Sequence, residues 1–524
     1  MNHTGSLSTT TTFSATNRRS IGECMVPPPI RTLVDALNRN AEQFAAGRAL
    51  LLSDDSEVYP SADSVTWADL GRWVKSVAAL LRSRYPHRSP LMHVVRNTPA
   101  DVVIALACQA AGIIEIPVDV DGGDDYLASC RRKIDCDWLD DAAKQELVRR
   151  GYEATRSNSA RSVVVELPQV SATDDALVLW TSGTSGEPKG VALSHASQLL
   201  NAVAKLRSVP QSETDLRLTV LSIAHGYART CDLGTWLLSG CALAIARGFE
   251  GWQRVCERRE PTLCNLVPSL AGRVLESGTV PPSLRLVGCG GAAMTEDQFW
   301  RWGERGVTVI QGYGLTEAGP VIASQTPDDS IPGHAGRFVD GWEYRLAEGP
   351  VDEGGPNEAR LDEGRLFVRG PHLMRGYWQD PEATARRIDA AGWLDTGDRV
   401  RICPSTRQLQ ILGRCDDRIV LSNGHKIDPM GLEQRLVAIN GVRTAIVSAG
   451  AERRSVEFWV ETTESTLPMP EIDAIVRTLP RWEQPKRIHR LVFPENLRQQ
   501  LLNRKGAIRR SEMLRYLDRS TGSC

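Results

Sequence analysis

The chain has 524 residues, 41% of them hydrophobic and 24% charged, a globular composition that excludes fibrous and largely disordered classes. Lys and Arg number 62 against 64 Asp and Glu, and the net charge of −2 argues against a nucleic-acid partner, which calls for a basic surplus. At roughly 150 residues per domain, the length allows two to four domains.

Residues 1–29 are rich in Ser and Thr, lack an apolar signal segment and read as a disordered tail. Helical spacing of apolar residues predicts helices over 33–44 and 70–81. Strands are predicted at 92–95, 113–120, 162–167, 176–180, 216–222, 241–246, 284–288 and 307–311, mostly separated by helical stretches. That alternation points to α/β layers with largely parallel sheets. The most apolar stretch, 102–118, is interrupted by Gln109 and Glu115 and reads as a buried helix followed by a strand, so no integral membrane span is expected. From about Gly341 the texture changes to short strands and turns, a β-rich subdomain over 341–413. Between Arg477 and Arg519, twelve Lys/Arg stand against four Asp/Glu, a local net charge of +8 that is either a solvated basic face or a surface for a polyanion. The twelve cysteines are scattered without a CxxC pair, as in a reduced, cytoplasmic protein.

The most informative segment is LVLWTSGTSGEPKGVALSH, Leu177 to His195. An apolar strand runs into Thr181, Ser182, Gly183, Thr184, Ser185 and Gly186, and a second strand follows Lys189 and Gly190. Glycines let the backbone approach phosphate oxygens, successive N–H groups form an anion nest, and the hydroxyls and Lys189 add donors and a cation. The spacing G-x-x-G-x-x-K-G is not that of the P-loop, which opens a helix.

TSGTSGEPKGVALSH resembles the phosphate loop of the adenylate-forming superfamily, which includes acyl-CoA synthetases, luciferases and peptide-synthetase adenylation domains. Further motifs stand in that family's order. Gly290-Gly291-Ala292 resembles its adenine-edge turn, QGYGLTEAGP (Gln311 to Pro320) its adenine-stacking and magnesium motif, and GWLDTGD (Gly392 to Asp398) its ribose motif. Gly413-Arg414 through Asp417, followed by SNGHKIDPMGLE, resembles the hinge and the start of a mobile C-terminal domain. The match runs from about Ile30 to Arg510. It implies an N-terminal α/β domain over 30–413 and a small, mobile α+β domain over 414–524. It also implies ATP, Mg²⁺ and coenzyme A as cofactors, a carboxylic acid as the other small-molecule substrate, and room for a carrier-protein partner or a peripheral membrane contact. In that reading Thr181–Gly186 and Lys189 hold phosphates, while Gly291, Ala292, Tyr313, Gly314 and Thr316 border the adenine. Glu317 ligates Mg²⁺ and, with Thr184, Lys189 and Lys505, belongs to the catalytic set. Asp398 and Arg414 bind the ribose, Asp417 is the hinge, and a face near Gly424 admits CoA. The residue types suit these roles, since an aromatic ring offers a face to a purine and a carboxylate is the hard oxygen ligand Mg²⁺ prefers.

For the acid, LSIAHGYART (Leu221 to Thr230) resembles the long-chain fatty acyl-CoA synthetase branch, with Ala228 where that branch usually carries Glu. The expectation is therefore a medium- or long-chain fatty acid–CoA ligase, with Gly312 and Gly314 beside the acyl group. His225 is either a gate to the acyl pocket or a satisfied core histidine. Asp232 sits at the wrong offset from Gly240 for an amine-binding aspartate. The adenylation lysine is placed at Lys505, although Lys505-Gly506 reverses the usual order, and Lys486 is placed on a supporting strand. Two rivals are a ligase that passes its acyl-adenylate to a carrier protein and a nucleotide-binding regulatory protein without catalysis.

Overall fold

The computed structural model describes residues 30–52, 63–156, 167–182, 188–347, 362–493, 501 and 509–521. Local signals set many element ends. In the helix Pro99–Ala111, Thr98 and Asp101 form a capping box, Pro99 occupies the first turn, and Gly112 closes the end at φ 64°. Every residue of that helix is buried. Asp101 also meets the buried Lys144 ammonium at 2.7 Å, so one carboxylate both caps a helix and neutralises a core cation.

Two large sheets carry the fold. The first has six strands in the order Gly376–Tyr377, Pro188–Ser194, Asp175–Ser182, Ile114–Asp119, Pro90–Val95 and Asp137–Leu139. Its last four strands run parallel, while Asp175–Ser182 and Pro188–Ser194 form an antiparallel hairpin. The second has nine strands, ordered Arg337–Phe338, Val321–Ser324, Thr308–Gly314, Leu286–Cys289, Leu263–Leu266, Leu216–Thr219, Ala242–Ile245, Arg48–Leu51 and Ser64–Thr66. The six from Thr308–Gly314 to Arg48–Leu51 are parallel, with antiparallel strands at both ends. An antiparallel sheet follows, ordered Glu343–Ala347, Glu363–Arg369, Leu394–Ile402 and Leu409–Arg414. Beyond it lie the pair Ile419–Val420 and Lys426–Ile427 and the three-stranded sheet Val442–Ala449, Val456–Thr462 and Pro485–Leu491. The architecture is the layered α/β type with a smaller α+β C-terminal region.

The predicted helices over 33–44 and 70–81 are Leu33–Gln43 and Trp67–Arg82, the second beginning earlier because Thr66 caps it. The strand predicted at 307–311 runs on to Gly314, since its end pairs with Val321–Ser324 across the sheet edge. Residues 162–166 of one predicted strand lie outside the described residues, and Leu167 is not in a strand. The tail 1–29 also lies outside them. The ten described cysteines are free thiols. Among the described residues no helix is long and apolar enough to cross a membrane.

Candidate nucleotide site

The site is built at strand ends and turns where backbone must come close. Thr181 pairs with Lys189 and Ser182 with Pro188, so the strands on either side of the glycine-rich segment pair with each other. Gly183, Thr184, Ser185, Gly186 and the Ser182 side chain lie outside the description, as does Lys505. The Lys189 ammonium stands 5.0 Å from the centroid of the Tyr377 ring, within cation–π range. The Tyr377 hydroxyl in turn donates to Glu317 Oε1 at 2.8 Å. Glu317 is buried in a short helical turn, Thr316–Ala318, directly after the strand Thr308–Gly314. Lys189, Tyr377 and Glu317 thus form one chain of contacts from the hairpin to the second sheet. Burial and the facing Glu317 carboxylate push the Tyr377 phenol well above its ordinary value, so it remains a donor.

Tyr313, near the end of the strand Thr308–Gly314, turns to a second carboxylate. Its hydroxyl donates to Asp398 Oδ2 at 2.5 Å, and Arg414 Nη1 donates to Asp398 Oδ1 at 2.9 Å. Arg414 and Arg387 both also donate to the Thr396 carbonyl at 2.9 Å. Burial raises the Asp398 pKa, and the Arg414 guanidinium opposes the rise. Gly397 (φ 71°) makes this packing possible, because a Cβ there would fall 2.6 Å from Arg414 Nη2. Gly314 is needed for a similar reason, since a Cβ would lie 1.7 Å from the Pro320 carbonyl oxygen. Gly312 pairs with Ser324, and Gly291 takes φ 84° in the turn after Leu286–Cys289, followed by Ala292.

His225 resolves into a half-exposed group with a partner, its Nε2 2.8 Å from Asp119 Oδ2 at the end of a parallel strand. Asp232 is wholly buried and pairs with Arg217 at 2.7 Å. That contact engages the carboxylate with a cation of the chain itself, in keeping with its offset being wrong for an amine site. Asp417 stands in a short turn between Leu409–Arg414 and Ile419–Val420, 3.9 Å from Arg510 Nε. Gly424 (φ 88°) tops the hairpin joining Ile419–Val420 to Lys426–Ile427, with open space where a Cβ would be. Lys486 is exposed on the strand Pro485–Leu491. Tyr377, Arg387 and the Thr396 carbonyl escaped the sequence reading. Each acts through a contact across the fold, and only the Gly-Tyr-Trp run at 376–378 hinted at a placed aromatic.

A profile of AMP-binding enzymes matches residues 37–378, and one of AMP-binding enzyme C-terminal domains matches 416–488. The chain belongs to the AMP-binding enzyme family. Among its relatives, 4-coumarate-CoA ligase 1 of Narcissus pseudonarcissus is 30% identical over 354 residues, 63% of each chain. A feruloyl-CoA synthase of Amycolatopsis sp is 27% identical over 427 residues, 78% of this chain and 85% of that protein. The chain thus spans slightly less than two thirds of the Narcissus enzyme. Among solved structures, ATP-bound MatB of Rhodopseudomonas palustris superposes with a TM-score of 0.77 at 21% identity, over 93% of this chain and 98% of that one. O-succinylbenzoate coenzyme A synthetase of Bacillus subtilis with AMP gives 0.73, also at 21% identity, over 91% and 97%. At that identity the superpositions establish the AMP-binding enzyme fold, including its C-terminal part.

Proposed function

We propose that this AMP-binding enzyme is an ATP-dependent acid–CoA ligase. The observation that carries the proposal is the convergence of separate segments on one site. The hairpin with Lys189, Glu317 with Tyr377, and Tyr313 with Asp398 and Arg414 all meet around the strand Thr308–Gly314. In the first step the acid carboxylate attacks the α-phosphorus of ATP and pyrophosphate leaves. In the second the CoA thiol attacks the acyl carbonyl and AMP leaves. The protein forms no covalent bond to the substrate; it positions the reactants and neutralises developing charge.

Thr181–Gly186 and Lys189 hold the phosphates. Tyr313, Gly314, Thr316, Gly291 and Ala292 frame the adenine, and Asp398 and Arg414 take the ribose. Asp398 uses one lone pair on each oxygen internally, and a carboxylate has further acceptor capacity for ribose hydroxyls. Glu317 suits Mg²⁺. Its Oε1 is fixed by Tyr377, while Oε2 has no hydrogen-bond partner among the described residues. There is also no described cluster of three or more acidic, His or Cys groups that would make an all-protein cage. One carboxylate plus substrate phosphates is how Mg²⁺ is usually held, and the ion would supply charge neutralisation on those phosphates. Lys505 bridges the charge that builds between carboxylate and α-phosphate. The region 414–524 then turns about Asp417 relative to 30–413, bringing the Gly424 hairpin to admit CoA. His225 and Gly312 border the acid.

The acid itself is of the aromatic kind named in the coumarate and feruloyl relatives. Nothing in those relatives supports a long-chain fatty acid. The test is a panel of C2 to C18 and aryl acids, scoring acid-dependent ATP–pyrophosphate exchange and then thioester formation with free CoA. Exchange with aryl acids and thioester formation are expected. Exchange without thioester would instead favour transfer to a carrier protein, and no exchange with any acid would defeat the assignment.

A further inference from the structure

Asp428 precedes the helix Pro429–Val437 where an Asp side chain ordinarily caps, yet it makes no capping hydrogen bond there. The same Asp-Pro start at Asp380 does cap, its Oδ1 accepting the Ala383 N–H at 2.9 Å. The Asp428 carboxylate turns instead across the boundary between 30–413 and 414–524, where its Oδ2 accepts from Arg399 Nη1. Its Oδ1 lies 3.2 Å from Arg418 Nε. Arg399, on the strand Leu394–Ile402, also donates to Glu363 Oε1 at 2.5 Å, and Arg401 donates to Glu363 Oε2 at 2.6 and 2.8 Å. Five alternating charges, each partly buried, thus run across the boundary. The apolar cores on its two sides are separate, one drawing on residues from 177 to 411 and the other on residues from 419 to 488. A cleft of about 290 Å³, lined by Glu363, Arg401, Gln410, Asp428 and Gln434, opens beside the charges. Residues 422–425, the tip of the Gly424 hairpin, are exposed with open space where a Gly424 Cβ would be, so in this orientation the hairpin does not border the nucleotide site.

Breaking a partly buried ion pair is costly when it strands a charge. Here neither charge would be stranded. If the region turned about Asp417, Arg399 would keep Glu363, and Asp428 would keep Arg418, which turns with it. The freed Asp428 oxygen could then cap its own helix. We infer that Arg399 and Asp428 are positioning residues, a clasp that holds residues 414–524 with the Gly424 hairpin away from the site, and that Asp428 exchanges this clasp for the cap of its own helix when the region turns to admit CoA. The inference rests on the acid–CoA ligase reading and names the contact that breaks between its two half-reactions.

The experiment places a dye pair at the exposed Glu304 and Glu471, one on each side of the boundary, and follows energy transfer in the full chain without substrates. Pyrophosphate exchange with 4-coumarate, and thioester formation from preformed 4-coumaroyl-adenylate and CoA, are measured alongside. Arg399→Met removes the clasp and leaves Asp428 free to cap. Energy transfer should move away from the wild-type value, and the ratio of thioester to exchange rates should rise roughly 5-fold, the scale of one well-made ion pair. Asp428→Asn loses the ionic clasp but still caps, so its ratio should rise by about as much. Asp428→Ala loses clasp and cap together, and its ratio should stay near that of the wild type. Arg399→Met combined with Asp428→Asn should go no further than either alone, because both remove one interaction. Unchanged energy transfer and an unchanged ratio in Arg399→Met, or a larger rise in Asp428→Ala than in Asp428→Asn, would overturn the inference while leaving the ligase reading intact. If the wild type shows neither half-reaction with any acid, the ligase reading falls, while energy transfer, which needs no turnover, still upholds or overturns the clasp.

Discussion

The contact between Glu317 and Tyr377 makes the magnesium assignment quantitative. Glu317→Gln removes the anionic ligand while keeping its shape, so the expected loss in acid-dependent exchange is roughly 10²-fold, the scale of one preorganised electrostatic group. That corresponds to about 2.7 kcal/mol of transition-state stabilisation. Tyr377 meets the site through its 2.8 Å hydrogen bond to Glu317 Oε1 and through its ring, 5.0 Å from the Lys189 ammonium. Tyr377→Phe keeps the ring and drops the hydroxyl, so it should cost about 10-fold, as loss of a partner that orients a metal ligand does. If the hydroxyl acts through Glu317, the double variant should be no worse than Glu317→Gln alone, about 10²-fold rather than 10³-fold. The assay is pyrophosphate exchange titrated with Mg²⁺, with circular dichroism melts as a control for folding. Both single variants should show a raised Mg²⁺ half-saturation. An unchanged Mg²⁺ requirement in Glu317→Gln, or fully multiplicative losses in the double variant, would refute the reasoning and return Glu317 to a structural role.

Lys505→Ala should abolish exchange yet still form thioester from preformed acyl-adenylate and CoA. Lys486→Ala should keep both activities, because that side chain is exposed on the strand Pro485–Leu491; the reverse result would mean that the tail is misaligned. Gly314→Ala would place a Cβ 1.7 Å from the Pro320 oxygen and 2.8 Å from its carbonyl carbon. Backbone cannot swing aside as a side chain can, so a loss of about 1–3 kcal/mol is expected in urea unfolding, and unchanged stability would argue against this strand pairing. Burial pulls the His372 pKa down to about 4, with its Nε2 donating to the Asp340 carbonyl at 2.8 Å. A base whose folded pKa is depressed is neutral in the folded chain while the unfolded chain takes the proton. Stability is therefore lost as pH falls from about 6.5 towards 4, by up to about 3 kcal/mol from this group. His372→Gln should lack that component, so its stability deficit relative to wild type should shrink on acidification; a deficit constant from pH 7 to 4.5 would contradict the shift.

What the amino-acid sequence determined by itself is local or carried by short motifs. The Thr98–Asp101 capping box, Pro99 and Gly112 delimit a helix because each group acts within one turn of its neighbours. The two apolar strands flanking the glycine-rich segment were legible because each is a short apolar run, and they pair with each other. The ordered motifs from Thr181 to Asp417 were legible as an adenylate-forming pattern. Only the tertiary structure decided which side chains complete them. Tyr313 meets Asp398 across 85 residues and Glu317 meets Tyr377 across 60. Such contacts depend on strand order and on which strand lies beside which, and hydrophobic periodicity reports the face of an element but not its neighbour.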